Sequence, residues 1–313
     1  MIIAGIVPRE PCSCPARKSP AAHADVDVGF LPDAAAVRCL AEDMTSTHHP
    51  ALFRSLHTPA RPLALANVWD VAGARIMEAA GAPAIATTSA GVAWSLGAPD
   101  GDRISRDLAL DAVARIAAAV TVPVSADIEG GHGETPAAVA DTVTRVLEAG
   151  AVGVNIEDGT RPPSTLTARL EAVRASAERA GADLFVNARV DTYLLALGDP
   201  ATRLRDTLER ARSYVDAGAD GIFVPGVTDP GLIATLAEAL TVPLNVLAAP
   251  GTPSVKELGA LGVARVSLGS GIAQAAYAVA RRTARELYGA GTYDSLRQDL
   301  DYTHLNDLLG SSG

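Results

Sequence analysis

The acids of this chain recur in one kind of place. Asp127 and Glu129 follow the apolar run VPVSAD (122–127), Glu157 and Asp158 close VGVNIED (152–158), and Arg189 and Asp191 come at the end of LFVNAR (184–189). Carboxylates that converge at one end of neighbouring elements repel one another unless a cation offsets them. Hard oxygen donors of this kind suit Mg2+ or Mn2+, with some carboxylates acting through water. Arg189 would add a fixed positive fork for a carboxylate or a developing oxyanion.

Other polar groups stand at equivalent points. Asn67, Trp69 and Asp70 follow PLALANV (62–68), Ser89, Ala90 and Gly91 follow AIATTS (84–89), Asn245 lies in PLNVLA (243–248), and Ser267 and Ser270 lie in RVSLGS (265–270). Each has a plainer reading. A single acid after a strand is often a helix N-cap, and the case is even for Asp70 and Asp158. Arg189 could simply pair with Asp191. His132, set in DIEGGHGE, is either a proton carrier at the mouth or a solvated loop residue. Gly130, Gly131 and Gly133 either permit the turn or form a moving gate.

These runs must be held in register by something. Eight of them, including GIFVPG (221–226), alternate with amphipathic helical stretches between residues 51 and 290. Eight strand–helix units of that length predict a (β/α)8 barrel, whose active site lies at the C-terminal strand ends. The stretch TPAAVADTVTRVLEAG shows the local grammar, with Thr135 as N-cap, Pro136 in the first turn and Gly150 as the stop. A doubly wound open sheet is the alternative, but no GxGxxG fingerprint follows a strand. Two further helical stretches, within 271–293 and 296–310, need a surface to pack on, which points to a subunit interface. The expected division is a disordered or over-extended segment 1–43 with Met44 as an alternative start, a barrel 44–290, and a helical tail 291–313.

Composition narrows the function classes. Hydrophobic residues make up 48% of the 313 and aromatics only 4%, so the core is aliphatic. A net charge of −10 argues against nucleic acid or an anionic membrane as partner, while a bound cation would still admit a small anionic substrate. Cys12, Cys14 and Cys39 are the only cysteines, so the barrel has no disulfide and no thiol nucleophile or acid. Two thiols without partner ligands make a weak metal site. A soluble, cytoplasmic protein is the expectation.

Four segments, NVWDVAGARIMEAAGAPAIATTSAGVAWSLGAPD, ADIEGGHG, VNIEDG and NARVDTY, resemble in order and spacing the isocitrate lyase/phosphoenolpyruvate mutase superfamily, from about residue 55 to 290. The nearest likeness is to small single-barrel members described as phosphonomutase-like. The resemblance implies a Mg2+-dependent enzyme that makes or breaks a C–C or P–C bond of a 2-oxo or 2-hydroxy carboxylate through an enolate. It also implies a homodimer or homotetramer that exchanges the last barrel helix. By the same resemblance Asp127 is the principal metal carboxylate and Glu129 the second, with Asp100 and Glu157 holding the ion largely through water. Ser89, Ala90 and Gly91 match the segment that grips the substrate carboxylate, and Arg189 matches the substrate-facing arginine.

The departures are specific. Glu129 stands where the family has aspartate. The lyase loop with a catalytic cysteine is replaced by DGTRPPSTLTARL, and the lysine-containing loop of the phosphonate enzymes is not matched either. Arg161 in that segment is a candidate substrate contact, with Trp69 and Asn245; Glu157 and His132 join Arg189 as candidate catalytic groups. The first expectation is a lyase or decarboxylase, the second a P–C bond enzyme. A hydroxymethyltransferase, which lacks a folate signature here, and a silent barrel follow.

Overall fold

The structure is a computed structural model that describes residues 49–296 and 300–310. The segment 1–43, Met44 and all three cysteines lie outside the described residues.

Eight parallel strands close into a barrel in sequence order: β1 (Leu63–Val68), β2 (Ile85–Thr87), β3 (Val124–Asp127), β4 (Gly153–Glu157), β5 (Phe185–Arg189), β6 (Gly221–Val224), β7 (Leu244–Leu247) and β8 (Val263–Ser267). The (β/α)8 expectation holds. The helices are α1 (His49–Ser55), α2 (Val71–Ala79), α3 (Ser89–Ser95), α4 (Arg106–Ala119), α5 (Pro136–Glu148), α6 (Pro163–Arg179), α7 (Arg203–Asp216), α8 (Pro230–Ala239), α9 (Val255–Ala260), α10 (Gly271–Gly289) and α11 (Tyr302–Gly310). Thr135 caps α5 as expected, accepting from the Ala138 amide at 3.2 Å. No helix among the described residues is long and apolar enough to cross a membrane.

Side chains alternate across each strand. The outward set (Val124, Ala126, Val154, Ile156, Val186, Ala188, Val246, Val266) is buried and apolar, as a helix-covered sheet requires. The inward set is polar through the middle of the barrel, where aliphatic layers are the usual filling. Asn187 donates to Asn155 at 2.9 Å, and Arg265 reaches across from β8 to the same Asn155 oxygen at 3.2 Å. The N-terminal end of the barrel is closed differently. Phe53 of α1 packs edge-on to Phe185 with ring centroids 5.7 Å apart, and His57 stacks on Phe185 at 4.0 Å. A Cβ on Gly153 would meet Phe53 at 2.7 Å, so glycine there is a packing requirement.

Three details differ from the sequence reading. Ser89, Ala90 and Gly91 form the first turn of α3 rather than a strand end. The plug α1 had no sequence signal, being seven residues without a long period. Strand β8 starts at Val263 and stops at Ser267, so Gly269 (φ +54°) and Ser270 belong to the turn into α10. Helix α10 has one buried residue, Ala273, and borders a cleft of about 1240 Å3 lined by Trp94, Leu247, Leu268, Ile272, Tyr277 and Arg281.

Candidate active site

Asp127 ends β3 at the C-terminal mouth. Its Oδ2 accepts from the Ser89 amide at 3.0 Å and from the Ser89 hydroxyl at 2.9 Å, while its own amide donates to Thr87 Oγ1 at 2.8 Å. Ser89 therefore spends both donors on orienting Asp127. Gly91 is required for a different reason. A Cβ there would lie 2.8 Å from Thr88 Cγ2 and 2.9 Å from Trp69 Cβ, so Trp69 packs on the first turn of α3.

The turn after β3 is tightly built. Glu129 is buried, and both it (φ +50°) and His132 (φ +49°) adopt the left-handed backbone that non-glycine residues seldom hold. One Glu129 oxygen accepts from the Asp102 amide. Asp102 Oδ1 lies 3.6 Å from His132 Nδ1, and its Oδ2 accepts from Arg161 Nη2 at 2.9 Å. Asp102, Glu129 and His132 each offer a ligand atom, all within 4.8 Å of one another. Asp102 was missed by the sequence reading, which took Asp100 from the same turn. Asp100 is exposed, but its charge still bears on Glu157.

Two readings of this turn are corrected. The His132 side chain is only 5% exposed, so it is not a solvated loop residue. Burial lowers its pKa, against the pull of Asp102 and Asp127. The glycines are clamped rather than free to swing. Arg169 of α6 donates to the Gly130 carbonyl at 2.6 Å and to the Gly133 carbonyl at 3.0 Å, and a Cβ on Gly131 or Gly133 would collide with α5.

Across the mouth, Arg189 Nη1 lies 2.5 Å from Glu157 Oε2, and its Nε donates to Asp191 Oδ1 at 2.7 Å. Burial works against the Arg189 charge, but Glu157, Asp191 and Asp127 more than offset it and hold the guanidinium charged. Asp158 and Asp70 take the structural reading. Asp158 is fully buried and accepts from the Asp191 amide (2.9 Å), Arg210 (2.7 Å) and the Tyr214 hydroxyl (2.8 Å), which anchors the β4 and β5 loops. Asp70 caps α2 through the Gly73 amide at 2.7 Å. Asn67 ties β1 to the turn into α10, accepting from the Leu268 and Gly269 amides at 2.9 Å each.

The electrostatics of the mouth fit a hard cation. Burial, then Asp102 and Asp127, push Glu129 up to about 9. Burial, opposed by Arg189 and assisted by Asp191, Asp127 and Asp100, pushes Glu157 up to about 8. So much clustered, desolvated carboxylate is the donor set that a divalent ion with oxygen ligands would relieve.

Comparison with known proteins gives the family and the fold. The family described as phosphoenolpyruvate phosphomutase matches residues 53–288. An uncharacterised Mycobacterium tuberculosis (strain H37Rv) protein, Rv1998c, is 42% identical over 222 residues, covering 70% of this chain and 81% of that one. Oxaloacetate decarboxylase of Pseudomonas fluorescens (strain SBW25) is 31% identical over 279 residues, covering 86% and 92%. The structure of oxaloacetate acetylhydrolase in complex with the product oxalate superposes with a TM-score of 0.72 at 26% identity, covering 84% of this chain and 94% of that one.

Proposed function

The chain belongs to the phosphoenolpyruvate phosphomutase family, within the isocitrate lyase/phosphoenolpyruvate mutase superfamily, and from that premise we propose that it is a Mg2+-dependent lyase or decarboxylase of a small 2-oxo or 2-hydroxy carboxylate. One observation carries the reading: Asp127 and Glu129 stand at one side of a mouth whose other side is Glu157 paired with the charged Arg189.

Asp127 and Glu129 would hold the cation, with Asp100 and Glu157 reaching it through water and Asp102 adjoining Glu129; Mn2+ would serve as well. When bound, the ion supplies Lewis acidity toward carboxylate and 2-oxo oxygens. Ser89 holds Asp127 in one orientation. Ala90 and Gly91, in the first turn of α3, with Trp69 packed on that turn and Asn245 of β7, are the remaining candidate substrate contacts, and Arg161, paired with Asp102, adds a positive group. Arg189 offers its guanidinium to the oxyanion that grows as the distal bond breaks, where a preorganised donor contributes most. With no cysteine in the barrel, Glu157 and His132 are the groups at the mouth able to carry the proton. The apolar cleft beside α10 supports assembly as a homodimer or homotetramer with α10 exchanged between copies.

A second reading is a P–C bond enzyme, favoured by Arg161, whose guanidinium at the rim could take a phosphonate. Incubation of the protein with oxaloacetate, substituted malates, methylisocitrate and phosphonopyruvate, each with Mg2+ and with EDTA, followed by mass spectrometry, separates the two. Metal-dependent loss of oxaloacetate or a malate supports the lyase. Phosphate release from phosphonopyruvate supports the second reading, and no turnover of any of them removes both.

A further inference from the structure

Glu129 is held from outside its own turn. The Asp102 amide is the one donor among the described residues that reaches the Glu129 carboxylate, and it takes a single oxygen, Oε2. Glu129 and Asp127 line one small closed void together with Ser89 and His132, so the two carboxylates face a common space.

Asp102 makes that bond from an unusual backbone. It sits at φ +56° directly after Gly101 at φ +94°, and an L residue seldom holds the left-handed region without local support. Its side chain supplies the support, because Oδ2 accepts from Arg161 Nη2 at 2.9 Å. Arg161 is set in turn by the loop after β4, where its amide donates to the Asp158 carbonyl at 3.0 Å. Asp158 is the buried anchor of that loop.

Gly130 shows that the guanidinium is seated rather than loose. A Cβ there would lie 2.7 Å from both Nη1 and Nη2 of Arg161 and 2.8 Å from its Cζ. Gly130, unlike Gly131, does not adopt the left-handed backbone, so glycine at this position makes room for Arg161 and not for a turn. Arg161 thus packs on the residue that follows Glu129 and pairs with the residue that holds its carboxylate.

We infer that Arg161 is a positioning residue for the metal: by gripping Asp102 it keeps the Asp102 amide on one Glu129 oxygen and leaves the other for the cation. Glutamate has one more rotatable bond than aspartate, so an untethered Glu129 would spread over several rotamers, and ordering them on binding would weaken the ion's hold. The inference rests on the proposed reading of Asp127 and Glu129 as metal carboxylates. It gives Arg161 a role distinct from substrate contact.

The sign of the effect separates this role from plain electrostatics. Arg161 is a cation, and on charge alone its removal would tighten the binding of another cation. Loss of the tether loosens it instead. Titration calorimetry with Mn2+ alone reads the difference. Arg161→Met should bind Mn2+ roughly ten-fold more weakly than the original chain. The Arg161 side chain is 35% exposed, so the replacement should keep the fold, with circular dichroism as control. Gly130→Ala, which displaces the guanidinium but keeps its charge, should weaken binding too. In an Asp102→Ala background, Arg161→Met should change Mn2+ binding no further. Equal or tighter binding by Arg161→Met overturns the inference, as does an additive double variant. Weaker binding of oxalate to the Mn2+-loaded protein, with Mn2+ affinity unchanged, would make Arg161 a substrate contact and overturn it as well.

A second measurement needs no metal. In protein labelled with 15N-aspartate, the Asp102 backbone amide should exchange with solvent at least about ten-fold faster in Arg161→Met than in the original chain, because its hydrogen bond to Glu129 is lost. Unchanged exchange overturns the inference. Absence of Mn2+ binding in the original chain, with the exchange result as expected, would count against the metal reading alone and leave the linkage from Arg161 through Asp102 to Glu129 established.

Discussion

Arg189 and Glu157 are register partners on β5 and β4, and their side chains meet at 2.5 Å at the mouth of the barrel. The same guanidinium holds Asp191 through Nε, so its plane is fixed from two sides. A lysine would carry the charge but could not occupy both positions at once. In the proposed reaction Arg189→Lys should lower kcat by about 100-fold or more while the protein keeps its fold. Steady-state kinetics on the substrate found by the screen, with circular dichroism as control, would show it. An unchanged kcat would remove Arg189 from the chemistry.

Asp127 is oriented by two donors of Ser89 and is the proposed principal metal carboxylate. Asp127→Ala should abolish Mg2+-dependent turnover. Ser89→Ala, which leaves one of those donors, should raise the Mg2+ concentration needed for half-maximal rate with a smaller loss of kcat. Retained turnover by Asp127→Ala would defeat the metal assignment.

Asp158 joins the β4 and β5 loops by accepting from Arg210, Tyr214 and the Asp191 amide while fully buried. Removing one partner of a buried ionic cluster leaves the others desolvated. Asp158→Ala should cost about 3–5 kcal/mol of stability in urea unfolding. A cost under about 1 kcal/mol would mean that the cluster is solvated in solution.

Gly91 stands against Trp69 and Thr88 with no room for a methyl group. Alanine is the better helix former by about 1 kcal/mol, but forcing it in costs about 1–3 kcal/mol. Gly91→Ala should therefore lower Tm and, by displacing Trp69, raise KM. A stabilised variant with unchanged KM would contradict this packing.

His57 should tie stability to acid. Burial, with the charge of Arg265, lowers its pKa to about 3, although its ring nitrogen faces the Phe53 carbonyl at 2.8 Å. The folded state thus resists a proton that the unfolded chain takes up near pH ~6.5. Its contribution is complete above that pH and is lost as pH falls from ~6.5 toward about 3. His57→Phe keeps the stack on Phe185 and should reduce the loss of stability across that window. Parallel curves for the two proteins, from urea titrations at pH 7, 6, 5 and 4, would refute it.

Much of the architecture could be read along the chain. Short apolar runs and amphipathic helices alternate with a period that a closed parallel barrel demands, and the polar residue ending each run marks the mouth. The acids Asp127, Glu129 and Glu157 were legible for that reason. Asp102 was not, since it sits in an irregular turn and becomes a neighbour of Glu129 and His132 through a left-handed backbone (φ +56°) that no periodicity announces. Arg265 was hidden too: inside an otherwise apolar strand, one arginine reads as a surface residue.

Local pattern, then, was enough to determine the eight-unit barrel and to set most of the clustered carboxylates at the C-terminal ends of its strands. Those depend on hydrophobic period and on which residues follow a strand, and both are properties of neighbours in sequence. Tertiary structure alone decided that Asp158 is a buried anchor, that His132 is enclosed, that the glycine turn is clamped by Arg169, and that Arg265 reaches across the barrel to Asn155. Each of these is a contact between residues more than twenty-five positions apart, and burial, charge and proton direction there are set only when the barrel closes.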